Sequence, residues 1–88
     1  MIDVQQIDDS TFEVTVQGRV TTKHSVTVDP SYYEKLSGKR VPPATLVEKS
    51  FEFLLEREPN TSILRRFNLS VISQYFPEYE STIHEMLA

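Results

Sequence analysis

The chain has no cysteine, no tryptophan, only two glycines and no long apolar run. The missing cysteines exclude a disulfide framework, a thiol nucleophile and any thiolate-ligated zinc or iron–sulfur centre. No stretch approaches the roughly 18 apolar residues that cross a bilayer. The N-terminal Met1-Ile2-Asp3-Val4-Gln5-Gln6 also lacks the basic start and apolar run of a secretory signal. A cytoplasmic location without membrane contact is therefore expected. Positive charge is scarce as well: nine Lys and Arg stand against thirteen Asp and Glu, a net charge of −4. A domain that coats a phosphate backbone usually carries the opposite sign, so nucleic acid is a disfavoured partner.

What is present fits one small domain over residues 1–88, with 39% hydrophobic and 25% charged residues. A chain of this size hides about 60% of its unfolded surface, enough for one modest core. The expected class is α+β: an N-terminal antiparallel three-stranded meander over residues 1–28, then a helical part over 29–88. Ile2 and Val4 alternate with polar residues, Asp8-Asp9-Ser10 supplies a turn, and Phe12, Val14 and Val16 continue the alternation. Beyond Gly18 it resumes through Val20, Thr22, His24, Val26 and Val28. A three-residue loop, Gln17-Gly18-Arg19, sets Val16 opposite Val20, Val14 opposite Thr22 and Phe12 opposite His24, with every even-numbered residue on one side. A two-residue loop mixes the faces, so the longer one is expected.

Asp29-Pro30 ends the sheet and opens a short helix, with Val28 and Tyr33 placed as a hydrophobic staple and Gly38 as the left-handed residue that closes it. Pro42-Pro43 starts the longest helix, where Val47, Phe51 and Leu54 share an apolar face and Phe53 falls near the polar side. Pro59 stops it. Two or three short helices are expected after that: Ser62 to Phe67, Leu69 to Tyr75, and one from Pro77 in which Tyr79 and Ile83 share a face with Met86 or Leu87. Asn60 and Asn68, each in an Asn-x-Ser/Thr triplet, are expected to cap helices in preference to carrying glycans.

The chemistry-bearing motifs are few. There is no glycine-rich phosphate loop, no Gly-x-Ser-x-Gly elbow and no His-Glu-x-x-His pair. His24 lies on the apolar side of its strand and is expected to be a half-buried imidazole with one local hydrogen bond. His84, one helical turn after Glu80, is placed for an ordinary exposed i,i+4 contact with it. Neither has the converging ligands of a metal site. Glu48, Glu52 and Glu56 sit four apart as a solvated stripe. No catalytic residue, cofactor or metal is nominated, and no enzyme is expected.

Residues 58–77 carry the most information. Two short helices meeting near Asn68-Leu69-Ser70 resemble a helix-turn-helix, in which Arg65 and Arg66 would hold phosphates while Ser73 and Gln74 faced bases. The second helix, however, contains no Lys or Arg, and Glu78 and Glu80 follow it. Tyr75, Phe76 and Tyr79 crowd around Pro77, with Ile83 one turn on. An apolar patch of this kind marks contact with another protein or a second copy. A non-enzymatic module for interaction or regulation, self-association as a homodimer included, is thus the first expectation, and a DNA-binding or antitoxin-like regulator the second. The run from Phe51 to Phe67 (FEFLLEREPNTSILRRF), followed by Leu69-Ser70-Val71-Ile72 and Tyr75-Phe76-Pro77-Glu78, resembles a family of small uncharacterised bacterial proteins. The resemblance covers the C-terminal half and implies no activity, ligand or site residue. The layout of a sheet followed by helices also resembles some small antitoxins, a likeness of fold alone.

Overall fold

Even-numbered side chains in the first three strands turn one way and odd-numbered ones the other, and this separation organises the molecule. A computed structural model describes all 88 residues. Strands β1 (Ile2–Gln6), β2 (Thr11–Val16) and β3 (Thr22–Thr27) are followed by helices α1 (Pro30–Ser37) and α2 (Pro43–Leu55). A 3₁₀ turn (Asn60–Ser62), strand β4 (Arg66–Asn68) and helices α3 (Val71–Tyr75) and α4 (Tyr79–Met86) complete the chain. The fold is α+β, but the sheet has four strands in the order β1-β2-β3-β4, antiparallel except where β4 runs parallel to β3.

The meander forms with Phe12, Val14, Val16, Thr22, His24 and Val26 all buried on its even face. Its register differs from the expected one: Val16 pairs with Thr22, Val14 with His24 and Phe12 with Val26. A slip of two residues keeps every side chain on its own face, which is why the alternation could not distinguish the two registers. The β2–β3 loop is consequently Gln17–Thr21, and Val20, expected inside, is 57% exposed. Asn60 holds this wider loop from the far side of the sequence. Its side-chain amide donates to the Val20 carbonyl at 2.8 Å and to Thr22 Oγ1 at 3.0 Å, with the Val16 carbonyl at 3.4 Å. Asn60 is therefore a clamp on the sheet, not the helix cap its sequence context suggests.

Helix α1 begins at Pro30 and closes at Gly38 with φ 60°. The Asp29 carboxylate does not cap it, accepting instead from Asn68 Nδ2 at 3.3 Å. Helix α2 is buried on two sides. Phe51 faces the sheet, 5.3 Å from the His24 ring and 6.1 Å from Phe67, while Phe53 packs edge-on against Phe76 and Tyr79 at 5.8 and 5.2 Å. The expectation that Phe53 lies near the polar side is thus corrected. The C-terminal segment covers that side of α2, and an amphipathic pattern read from one helix does not register a second covering layer.

The helix expected over Ser62–Phe67 does not form. After the 3₁₀ turn the chain extends into β4, where the Ser25 N–H reaches the Arg65 carbonyl at 2.7 Å and the Leu69 N–H reaches the Thr27 carbonyl at 2.9 Å. The open side of β3 needs partners for its backbone groups, and that pairing outweighs the helical spacing of Ile63 and Phe67. Asn68 then starts α3 in a modified form of the expected role, its Oδ1 accepting from the Ser70 N–H at 3.1 Å and the Ser70 hydroxyl at 3.0 Å. The hydrophobic core, 17 buried residues, lies between the even face of the sheet and the helices. Helix α2 runs against β1 and β2, and α4 packs on α2 and α1.

Candidate functional site

Beyond the end of α2 at Leu55 the chain turns through Pro59 and the 3₁₀ turn, leaving the turn after Ser62 to run toward the edge of the sheet. This leaves a groove between the end of α2, the segment leading through β4, and α3. Leu54 and Glu58 form one wall and Ser62, Ile63, Leu64 and Phe67 a second. Val71, Ile72, Tyr75 and Phe76 form the third. The volume is about 310 Å³, and eight of the ten lining residues are hydrophobic. Two of them sit well out in solvent, Leu64 at 47% and Tyr75 at 67% exposure. Large apolar side chains left open around a concave apolar surface are the usual mark of a contact site. Glu58 is the only charged residue in the lining, is half-buried, and has no ion-pair partner.

Of the four residues nominated as an interaction surface, Tyr75 and Phe76 line this groove, and Phe76 is half-buried with one side on Phe53. Tyr79 and Ile83 do not reach a surface. Both are fully buried, because α4 turns that face onto α2 and α1. The Tyr79 hydroxyl is 2.6 Å from Ser50 Oγ, which itself donates to the Leu46 carbonyl at 2.7 Å. With the Ser50 proton committed, the Tyr79 O–H is the donor of that pair. Burial holds the Tyr79 hydroxyl well above the ordinary tyrosine range. Leu54, Glu58, Ile63, Leu64, Phe67, Val71 and Ile72 were not nominated. Their convergence depends on β4 being a strand, and the local pattern argued for a helix there.

The helix-turn-helix arrangement is absent. Its first member is extended chain and β4, and α3 has only five residues. Arg65 and Arg66 are exposed and line a separate, polar depression with Glu13, Lys23 and Ser25 on the uncovered side of the sheet. Ser73 donates to the Ser70 carbonyl at 2.9 Å and Gln74 is exposed on α3, so neither lines the depression that holds the arginines.

His24 is structural and more deeply buried than its position implies, at 1% exposure. Its Nδ1 lies 2.8 Å from the Leu64 carbonyl, which only accepts, so Nδ1 carries the proton. The Thr22 hydroxyl, which accepts from Asn60, lies 2.8 Å from Nε2 and donates to it. The chain Asn60–Thr22–His24–Leu64 thereby ties the β2–β3 loop to the groove wall. No group of three or more His, Asp or Glu side chains is arranged to hold a metal ion, and no helix is long and apolar enough to cross a membrane.

Charged contacts also dock α4. The Tyr32 hydroxyl donates to Glu80 at 2.9 Å and Lys35 sits 3.2 Å from the same carboxylate, holding Glu80 below the usual carboxylate range. Arg57 stacks 3.6 Å over the Phe53 ring and meets Glu78 at 3.1 Å. Glu78 is likewise held low, first by its own backbone N–H and then by Arg57. Comparison with protein-family models, curated proteins and solved structures finds no match to this chain.

Proposed function

We propose that this protein is a non-enzymatic interaction module that binds another protein, or a second copy of itself, through the groove between α2, β4 and α3. The observation that carries the reading is the pair of open apolar side chains, Leu64 and Tyr75, on the rim of an apolar groove. Every buried side-chain polar atom is hydrogen-bonded within the chain. Kinship with the small bacterial family suggested by residues 51–78 belongs to the same reading and brings no chemistry with it.

The test compares the wild type with Leu64→Asp, a groove variant, and Lys23→Glu, a control on the uncovered sheet face. Leu64 is half out in solvent, so its replacement leaves the core intact and should move the melting temperature little. Light scattering and affinity capture should show a partner or self-association retained by Lys23→Glu and lost by Leu64→Asp. Identical behaviour of all three proteins rejects the groove as the contact.

A further inference from the structure

The sheet has two edges, and they are not equivalent. Behind β1 lies α2, which runs against that strand and fills the space beneath it. Behind β4 lies the groove. Phe67, the central residue of β4, is buried beneath the sheet and also lines the groove, so the concavity opens on the helix side of the edge strand itself. Toward β3, this segment uses the Arg65 carbonyl and the Leu69 N–H. Alternation along a strand therefore turns the N–H and C=O of Arg66 and Asn68 the other way, off the open edge. An edge with unpaired backbone groups is a template for another strand.

We infer that the partner presents an extended peptide segment, which joins the sheet as a fifth strand beside β4, drops alternate apolar side chains into the groove, and sets a lysine or arginine against Glu58. This rests on the groove being the binding site and adds what fills it. A strand laid about 4.8 Å beyond β4 repeats the same alternation, so every second side chain, roughly 7 Å apart, points to the groove side. Backbone hydrogen bonds to Arg66 and Asn68 supply the sequence-independent part of the affinity, and the apolar walls select the alternate positions. Glu58 selects the charge. It is the one acidic or basic residue in the lining and forms no ion pair within the chain. A cation arriving beside it in apolar surroundings is attracted more strongly than in open water. A helical partner filling the same groove would leave the β4 edge unpaired.

The experiment selects ten-residue peptides from a displayed random library on the full chain and measures the enriched peptides one by one. Enriched sequences should alternate apolar residues and carry a Lys or Arg. In the free protein the Arg66 and Asn68 amide protons should exchange quickly with solvent, and they should slow on peptide saturation. Glu58→Gln should weaken binding roughly fivefold, and Lys/Arg→Gln in the peptide by a similar factor with no further loss against Glu58→Gln. Peptides with helical spacing, or unchanged exchange at Arg66 and Asn68, overturn strand addition while the groove stands, provided Leu64→Asp abolishes binding. Equal affinity for Glu58→Gln overturns the charge rule alone. Binding that survives Leu64→Asp rejects the groove itself. A library that yields no binder, or a dimer whose formation Leu64→Asp prevents, replaces the peptide with no ligand of this class or with a second copy, and either result overturns the inference.

Discussion

Tyr79 shows how one hydroxyl changes the meaning of a residue. The sequence places Tyr79 and Ile83 on one face of the last helix, correctly, but a face does not say whether it looks at water or at the core. The structure turns it onto α2, where Ser50 waits as an acceptor. The same blind spot put Phe53 near the polar side. In both cases the sequence pattern reads one helix at a time, and the deciding contact comes from another. The hydroxyl chain Tyr79 to Ser50 to Leu46 predicts an asymmetry between two conservative changes. Tyr79→Phe leaves Ser50 still donating to the Leu46 carbonyl, so it should cost about 0.5–1.5 kcal/mol, the net value of one hydrogen bond. Ser50→Ala strands a fully buried Tyr79 O–H and should cost more, about 1–3 kcal/mol, even though alanine is the better helix former. Urea denaturation of the two variants gives the order. A smaller loss for Ser50→Ala would mean that Tyr79 finds another acceptor.

At the level of elements, the parts with strong local patterns were legible and the parts decided by distant pairing were not. The faces of β1 to β3, the start of α1 at Pro30, its end at Gly38 and the opening of α2 at the proline pair all follow from side-chain alternation and backbone chemistry. The β2–β3 register and β4 do not, because each is fixed by residues some 40 positions away: Asn60 for the loop and β3 for the strand. The groove inherits this. Its walls meet only once residues 63–67 run extended, so Tyr75 and Phe76 were legible as an aromatic cluster while Leu64 and Glu58 were not. The clamp can be tested by its polarity. Asn60 donates to two backbone carbonyls and a hydroxyl. Asn60→Ala should lose about 1–2 kcal/mol through those bonds. Asn60→Asp keeps the shape but aims a carboxylate at carbonyl oxygens, and should lose more despite being nearly isosteric. Amide exchange in residues 17–22 should accelerate in both variants, further in Asn60→Asp. If Asn60→Asp were the more stable of the two, the loop would not depend on the amide as a donor.

For the molecule as a whole, α4 is the element whose docking is written in titratable groups, so pH should report on it from both ends. Glu80 is held below its ordinary range, first by the Tyr32 hydroxyl and then by Lys35, and Glu78 by its own backbone N–H and by Arg57. A lowered carboxylate contributes stability above its unfolded pKa of about 4.3, and loses it as pH falls through the folded value. Tyr32 is shifted the other way, pushed up by burial and then by Glu80, and Tyr79 by burial. A raised tyrosine contributes fully below its unfolded pKa of about 10 and loses that contribution as pH climbs toward the folded value. Tyr32 and Glu80 share one hydrogen bond, so Tyr32→Phe removes a term from both limbs at once. The stability difference between wild type and Tyr32→Phe should be largest between about pH 6 and 9. It should shrink in acid as Glu80 takes up a proton, and shrink again above pH 10 as the unfolded wild type ionises its extra tyrosine. Urea midpoints at pH 3, 7 and 11 trace the curve. A difference that stays flat across that range would separate Tyr32 from Glu80 and leave α4 held by Tyr79, Ile83 and the Arg57–Glu78 pair alone.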